Sequence, residues 1–327
     1  MADRAALVAH AREAILRGSK SFAAASHLFD RITRERVWLL YAWCRRCDDV
    51  IDGQDHGGTL GPQTGMDERL HHVRYLTQEA FAGRQTGDPA FDALGQVARE
   101  TGLTADMAEA VIEGFALDTA DWRPQTEADL MRYCWHVAGA VGVMMAVVMG
   151  VSPDDADTLD RACDLGLAFQ LANIARDVTE DAAAGRCYIP ADWLAKAGIA
   201  ASEIDQSRHR AALARIVAEM CAIAHVHECS ARIGAARLKP RQRWAILAAA
   251  SIYGEIAREV TRRGEHAWDE RVFVSNARKL GFIASAGLAA MRPVSRECVA
   301  AAATRRFTRQ ALVSLARANP VPALSPA

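Results

Sequence analysis

Five long stretches of this chain carry apolar residues at helical spacing, and no stretch alternates with the period of two that a half-buried strand needs. They run over Arg31 to Asp52, Asp129 to Gly150, Asp155 to Asp181, Arg208 to Ile233 and Gln242 to Arg263. The pattern confines the chain to an all-α fold. Turn chemistry marks the breaks: the glycine-rich DGQDHGGTLGPQTG at 52–65, DWRPQT at 121–126, GVSPDD, GRCYIP, and Pro240 interrupting RLKPRQ. Thr126 and Asp129 have the spacing of a capping box. No repeat and no linker-like shift in composition divides the 327 residues, so one helical domain is expected over 1–315, followed by a disordered tail at 316–327.

Charge and cysteine usage narrow the function classes. The formal net charge is -1, with no basic surplus of the kind a nucleic-acid partner requires. The N-terminus MADRAALVAHAREAILRG scatters acids and bases and has no apolar signal core. A cytoplasmic chain is expected, with its eight cysteines as reduced thiols. The most apolar run, Val137 to Val151, is shorter than a bilayer span, so no transmembrane helix is expected, while association with a membrane surface stays open.

Carboxylates enter two of the apolar stretches. In LLYAWCRRCDDVID, residues three and four apart share a helix face, which collects Tyr41, Arg45, Asp48 and Asp52. In LGLAFQLANIARDVTED the same rule collects Gln170, Asn173, Asp177 and Asp181, with Arg176 beside them. One Asp-x-x-x-Asp alone reads as a solvated, salt-bridged face. Two such pairs inside apolar helices point elsewhere. Like charges stacked in a cleft repel, and a multivalent cation removes the conflict. Oxygen donors suit hard cations, and magnesium takes one or two carboxylates and completes its shell with water and phosphate oxygens. Two facing aspartate pairs with a diphosphate between them fit that chemistry.

Other features read plainly. Cys44 and Cys47 form a CxxC inside a helix, where buried small side chains are expected rather than a redox pair. Cys221, His225 and Cys229 share a face, with His227 beside it, but no second ligand pair accompanies them. The glycines of 53–65 lack the Gly-Lys-Ser/Thr of a phosphate loop. The run RLKPRQR (237–243) reads as a solvated turn, and Met144, Met145 and Met149 as core or as lining of a cavity.

In the order GSKSF (18–22), YAWCRRCDDVID (41–52), YCWHVAGAVG (133–142), LGLAFQLANIARDVTEDAAAGRCYIP (165–190) and RVFVSNARKLG (271–281), the chain resembles the squalene/phytoene synthase family, its bacterial phytoene synthases most. The resemblance covers nearly the whole length, and the fourth motif matches at Gln170, Asn173, Arg176, Asp177, Asp181, Arg186, Tyr188 and Pro190. It implies an isoprenoid synthase fold, all-α, around a central hydrophobic cavity. It also implies a head-to-head condensation of two geranylgeranyl diphosphates, through a cyclopropyl diphosphate, to phytoene. By the resemblance, Asp48, Asp52, Asn173, Asp177 and Asp181 hold magnesium, or manganese in its place, with Gln170 close by. Arg45 and Arg176 contact diphosphate, with Ser19, Lys20 and Ser21 near it. Tyr133 lies beside the cationic intermediates, and Tyr41, Tyr253 and Arg271 belong to the pocket. No NADPH is expected.

Physical chemistry runs parallel to these roles. A carbocation needs a dry cavity, aromatic faces stabilise it by about 0.5–2 kcal/mol each, and the small residues of VAGAVGVMMAVVMG leave room. Two C20 tails, one from each substrate, must be buried, and such substrates partition into lipid, so peripheral docking on the inner face of the membrane is expected. The competing readings are a squalene-type synthase acting on farnesyl diphosphate, a chain-elongating synthase, a terpene cyclase and a non-catalytic helical binding module.

Overall fold

The computed structural model describes residues 3–54 and 65–320. Every regular element among them is helical, as the spacing predicts, and they form two compact units. The expected glycine-rich loop lies, over 55–64, outside the described residues, as does the tail from 321.

One unit comprises, among the described residues, 3–54, 65–120 and 140–159. Its helices are α1 (Arg4–Gly18), α2 (Lys20–Ser26), α3 (Arg31–Asp52), α4 (Met66–Phe81), α5 (Pro89–Glu100) and α6 (Ala105–Thr119), and it also holds the Ala140–Val148 helix. Helix α3 is the hub, packed on α1, α4, α5 and the Ala140–Val148 helix. Its start is set by Asp30, whose side chain accepts the Thr33 N–H at 3.0 Å. Its end is set by Gly53, which turns the chain at a φ of 62° that a side chain would disfavour. Between them Val37, Leu39, Leu40, Trp43, Cys47 and Ile51 are all buried. Two carboxylates, Glu35 of α3 and Glu100 of α5, bridge Arg4 of α1 with Arg31 and Arg36 of α3.

The other unit comprises residues 121–139 and 160–320. It contains α7 (Glu127–Cys134), and the Ala140–Val148 helix just introduced is therefore α8. Then follow α9 (Ala156–Ala183), α10 (Ala191–Lys196), α11 (Arg210–Ala235), α12 (Pro240–Arg263), α13 (Asn276–Ala289), α14 (Arg296–Ala303) and α15 (Arg309–Ala318). The capping box at Thr126 and Asp129 is formed. Pro240 opens α12 at its first turn, where a missing N–H costs nothing. Helix α15 continues three residues past the boundary expected at 315.

Several expectations are corrected. The chain does contain a helical run long and apolar enough to cross a bilayer, Glu127–Val148, because the helix starts ten residues before the apolar segment at Val137. That run is nevertheless 72% buried in its most apolar window, as a core helix is. It passes through a π-helical turn at Trp135–Gly139. The small residues there serve close packing as well as space. A Cβ on Gly139 would stand 3.0 Å from the Cys163 sulfur, and one on Gly166 of α9 would collide with the Ala138 carbonyl. The thiols are not all reduced: Cys229 of α11 and Cys298 of α14 form a disulfide, their Cα atoms 4.9 Å apart. Cys229 is thereby removed from any soft-metal set with Cys221 and His225.

Helix α9 carries a buried polar knot. Asp164, fully buried, accepts from His227 Nδ1 at 2.7 Å and from Ser230 Oγ at 2.5 Å, and pairs with Arg305. Arg161 donates to Ser230 at 3.2 Å, and Arg309 donates to Asp160 at 2.8 Å. A buried carboxylate needs this many donors, since an unpaired one costs several kcal/mol (about 3–5).

Candidate active site

The first aspartate pair occupies the last turns of α3, where the helix carbonyls already present partial negative charge and no basic residue stands in the final turn. Arg45, one turn earlier, answers part of that charge. Its guanidinium lies 2.9 Å from Asp48 and 2.9 Å from Asp49. Asp49 is buried and Asp48 is 43% exposed, so Asp49 takes a structural place against Arg45 while Asp48 stays presented. Asp52 is half-buried. Arg69 of α4 donates to the Ile51 carbonyl at 2.8 Å, fixing the helix end. Tyr41 stacks on Phe22 with ring centroids 5.8 Å apart. A Cβ on Gly18 would strike the Tyr41 hydroxyl, which explains the glycine that opens GSKSF. Ser19 caps α2 by accepting the Phe22 N–H. Lys20 and Ser21 lie in the first turn of α2, and their side chains fall outside the description.

Cys44 and Cys47 behave as a helix interior demands. Burial, helped by the Asp48 charge, pushes the Cys44 thiol up to about 12, and burial pushes Cys47 well above its ordinary value. Thiols so held do not ionise for redox work.

The second set lies on α9. Its flanks at Leu171, Ala172, Ile174, Ala175 and Val178 are buried, while Gln170, Asn173, Arg176, Asp177 and Asp181 form a half-buried face. Arg176 donates to Asp177 at 2.7 Å. From the far side Arg271 makes a two-pronged contact with the same carboxylate, at 3.1 and 3.0 Å. Burial alone would raise the Asp177 carboxyl, but the Arg176 hydrogen bond and the two guanidinium charges outweigh it and hold the group below the usual range. Glu180 moves the other way, raised by burial and by Asp177. Arg271 is positioned by its neighbours. Trp268 donates its indole N–H to the Ala175 carbonyl at 3.1 Å, and Val272 and Val274 are buried on either side of exposed Phe273.

Aromatic rings gather in the same unit. Tyr133 is buried between Tyr188, at 4.8 Å between centroids, and Trp122, at 6.0 Å. Backbone bonds from Ala191 and Asp192 to the carbonyls of Pro124 and Gln125 hold the two chain segments together. Tyr253 stacks on Phe169 at 4.0 Å, and burial raises its phenol. Sequence reasoning singled out Tyr133 and Tyr253 but left Trp122, Phe169 and Glu180 unassigned. Trp122 follows Asp121, whose positive φ of 47° no helical period signals.

Among the described residues no three His, Cys, Asp or Glu side chains converge into a ready-made metal cluster. The donor chemistry nonetheless fits a hard divalent ion that takes few protein ligands. The donors are carboxylate and amide oxygens, and two guanidinium groups supply positive charge at Asp177.

Comparison with known proteins identifies the family. Residues 15–278 match the squalene/phytoene synthase family. The chain is 47% identical to a phytoene synthase of Pseudescherichia vulneris and 45% identical to a 15-cis-phytoene synthase of Pantoea ananas, in each case over 86% of this chain and 91% of the relative. Among solved structures, a dehydrosqualene synthase in complex with ligand aligns at a TM-score of 0.77 and 26% identity, over 88% of this chain and 97% of that one. A squalene synthase from Alicyclobacillus acidocaldarius aligns at a TM-score of 0.71 and 23% identity, over 80% and 95%, and supports the fold. With its all-helical architecture, the chain is an isoprenoid synthase fold and belongs to the squalene/phytoene synthase family.

Proposed function

We propose that this chain is a phytoene synthase, joining two geranylgeranyl diphosphates head to head and releasing two diphosphates. The observation that carries the reading is the polar face of α9, where Asp177 stands between Arg176 and Arg271 beside in-phase Gln170, Asn173 and Asp181. Its relatives' names support the same substrate class.

Asp48 and Asp52 on α3, and Asn173, Asp177 and Asp181 on α9, are the residues that would hold magnesium, or manganese in its place. The bound ion would neutralise diphosphate charge as a Lewis acid, a contribution of several kcal/mol (about 3–5). Arg45, Arg176 and Arg271 bind diphosphate oxygens and orient the allylic carbon. The first substrate ionises to an allylic cation, the double bond of the second attacks it, and loss of a proton leaves a cyclopropyl diphosphate. A second ionisation, rearrangement and proton loss give the hydrocarbon. The stacked rings of Trp122, Tyr133 and Tyr188 would supply π density to positive charge held beside them, and apolar surroundings would exclude the water that quenches it. No NADPH is required when the product keeps its central double bond. The site works in the cytoplasm, on a membrane surface that dissolves substrate and product.

The test is incubation with C15 and C20 diphosphates, with and without magnesium and NADPH, followed by hydrocarbon analysis. Phytoene from the C20 substrate, requiring magnesium alone, is the expected result. Squalene-type products from C15 in preference to C20 would reassign the substrate, and no diphosphate release would mark a binding module.

A further inference from the structure

Helix α13 packs on α12 through one side only. The Trp244 indole N–H donates to the Ile283 carbonyl at 2.7 Å, Gly287 lies against the Trp244 ring, and Ala286 is buried. Turned away from buried Ala286, the residues Ala277, Leu280, Ala284 and Leu288 are all exposed. At 100° per residue these four fall within about 80° of arc. Exposed Phe273 precedes the helix and exposed Met291 follows it. Phe273 is 80% exposed, Leu280 67%, Leu288 55% and Met291 77%. These are four of the eight large hydrophobic side chains that stand exposed among the described residues, gathered in 19 positions. A stripe of this kind marks an interaction surface.

Charge identifies the partner. Residues 271–296 carry five basic side chains, Arg271, Arg278, Lys279, Arg292 and Arg296, and no Asp or Glu. Arg271 and Arg278 are engaged with Asp177 and Glu255, while Arg292 and Arg296 stand exposed near the Met291 end. A second copy of the chain laid on this stripe would bring two such basic borders together. An anionic lipid surface would meet them with opposite charge and take the apolar ridge into its headgroup boundary. We infer that the outer face of α13, from Phe273 to Met291, is the surface by which this protein docks on an anionic phospholipid bilayer. The surface begins two residues beyond Arg271, which holds Asp177, so docking sets the α9 polar face near the lipid that carries the prenyl tails. This deepens the membrane-surface part of the proposed function.

The experiment is flotation without substrate, on vesicles of phosphatidylcholine with and without phosphatidylglycerol. The proteins are wild type, a triple variant (Leu280→Ser, Leu288→Ser, Met291→Ser) and a double variant (Arg292→Gln, Arg296→Gln). Wild type is expected to float with the anionic vesicles, less so at high salt. The triple variant is expected to lose partitioning by roughly tenfold or more, and the double variant to lose its preference for phosphatidylglycerol. Both are expected to keep the wild-type melting temperature and turnover of detergent-dispersed substrate. Absent wild-type flotation, or equal flotation of the triple variant, overturns the assignment. Light scattering that finds a wild-type dimer dissociated by the triple variant, with flotation unchanged, replaces the bilayer by a second copy. Because flotation uses no substrate, a wrong prenyl chain length alters the hydrocarbon assay and leaves this result standing.

Discussion

Gly166→Ala is a one-carbon change with a large expected effect. The added Cβ would overlap the carbonyl oxygen and carbon of Ala138 and stand 2.8 Å from the Gly139 nitrogen. All three are backbone atoms of a helical run, so no side-chain rotation relieves the clash. Helix α9 or the π-helical turn must shift by roughly an ångström, against the steep wall of the contact potential. Overpacking of a core costs about 1–3 kcal/mol, and a clash with fixed backbone belongs near 3. For a chain of this length that is a fall in melting temperature of roughly 4 °C. The same shift carries Asp177, eleven residues along α9, and misplacing a reacting group by an ångström costs about a hundredfold in rate. Gly281→Ala is the matched control, since a Cβ there meets nothing within 4 Å and α13 gains a better helix former. Thermal melts, denaturant titration and single-turnover rates on both proteins make the assay. If Gly166→Ala melts with wild type and turns over at full rate, the close approach of α9 to the turn is not a constraint and the argument fails.

Other perturbations separate the remaining roles. Asp177→Asn should give neither cyclopropyl intermediate nor hydrocarbon, with at least about a hundredfold loss, whereas Tyr133→Phe keeps its ring in the stack and should still bind substrate while slowing the pathway or changing the product. Labelled C20 diphosphate in single turnover distinguishes them, and a wild-type rate and product from Tyr133→Phe would drop it from the catalytic residues. Glu100 is held at about 2, because its bonds to Arg4, Gln96 and Arg36 outweigh the burial that would raise it. A depressed carboxylate stabilises the fold above its unfolded value near 4.5 and loses that contribution as pH falls toward about 2, so Glu100→Gln should flatten the acid limb of stability by on the order of 2 kcal/mol. Denatured, unreduced protein should titrate six thiols and reduced protein eight; Cys298→Ser should cost about 2–4 kcal/mol under oxidising conditions and nothing after reduction.

Local physics was the legible part of this molecule. The periodic stripes placed Asp48, Asp52, Asp177 and Asp181 on helices, the Thr126 cap formed as spelled, and the CxxC lies mid-helix with Cys47 buried and both thiols raised above their ordinary values. Long-range pairing was not legible, because no spacing rule links residues far apart in the chain. Arg271 meets Asp177 across 94 positions, and only family resemblance had placed it in a pocket. Cys229 and Cys298 are 69 apart, and the mixed-charge N-terminus argued for free thiols instead. The exposed side of α13 was hidden for another reason. Its apolar period is that of any core helix, and only the burial of Ala286 and the packing of Trp244 show which residues face outward.

The knot at Asp164 bears on where this protein can be cut. The match to the family ends at residue 278, yet Arg305 and Arg309, beyond it, grip α9 at Asp164 and Asp160. Asp164 lies thirteen residues before Asp177 on one helix, roughly 20 Å along a stiff rod. A fragment trimmed to the recognisable family boundary would leave a buried carboxylate without its guanidinium and loosen the rod at its anchored end. The C-terminal helices thus act as ballast for the aspartate face. Domain-swapped or shortened versions should carry the chain through Arg309 before their activity is compared.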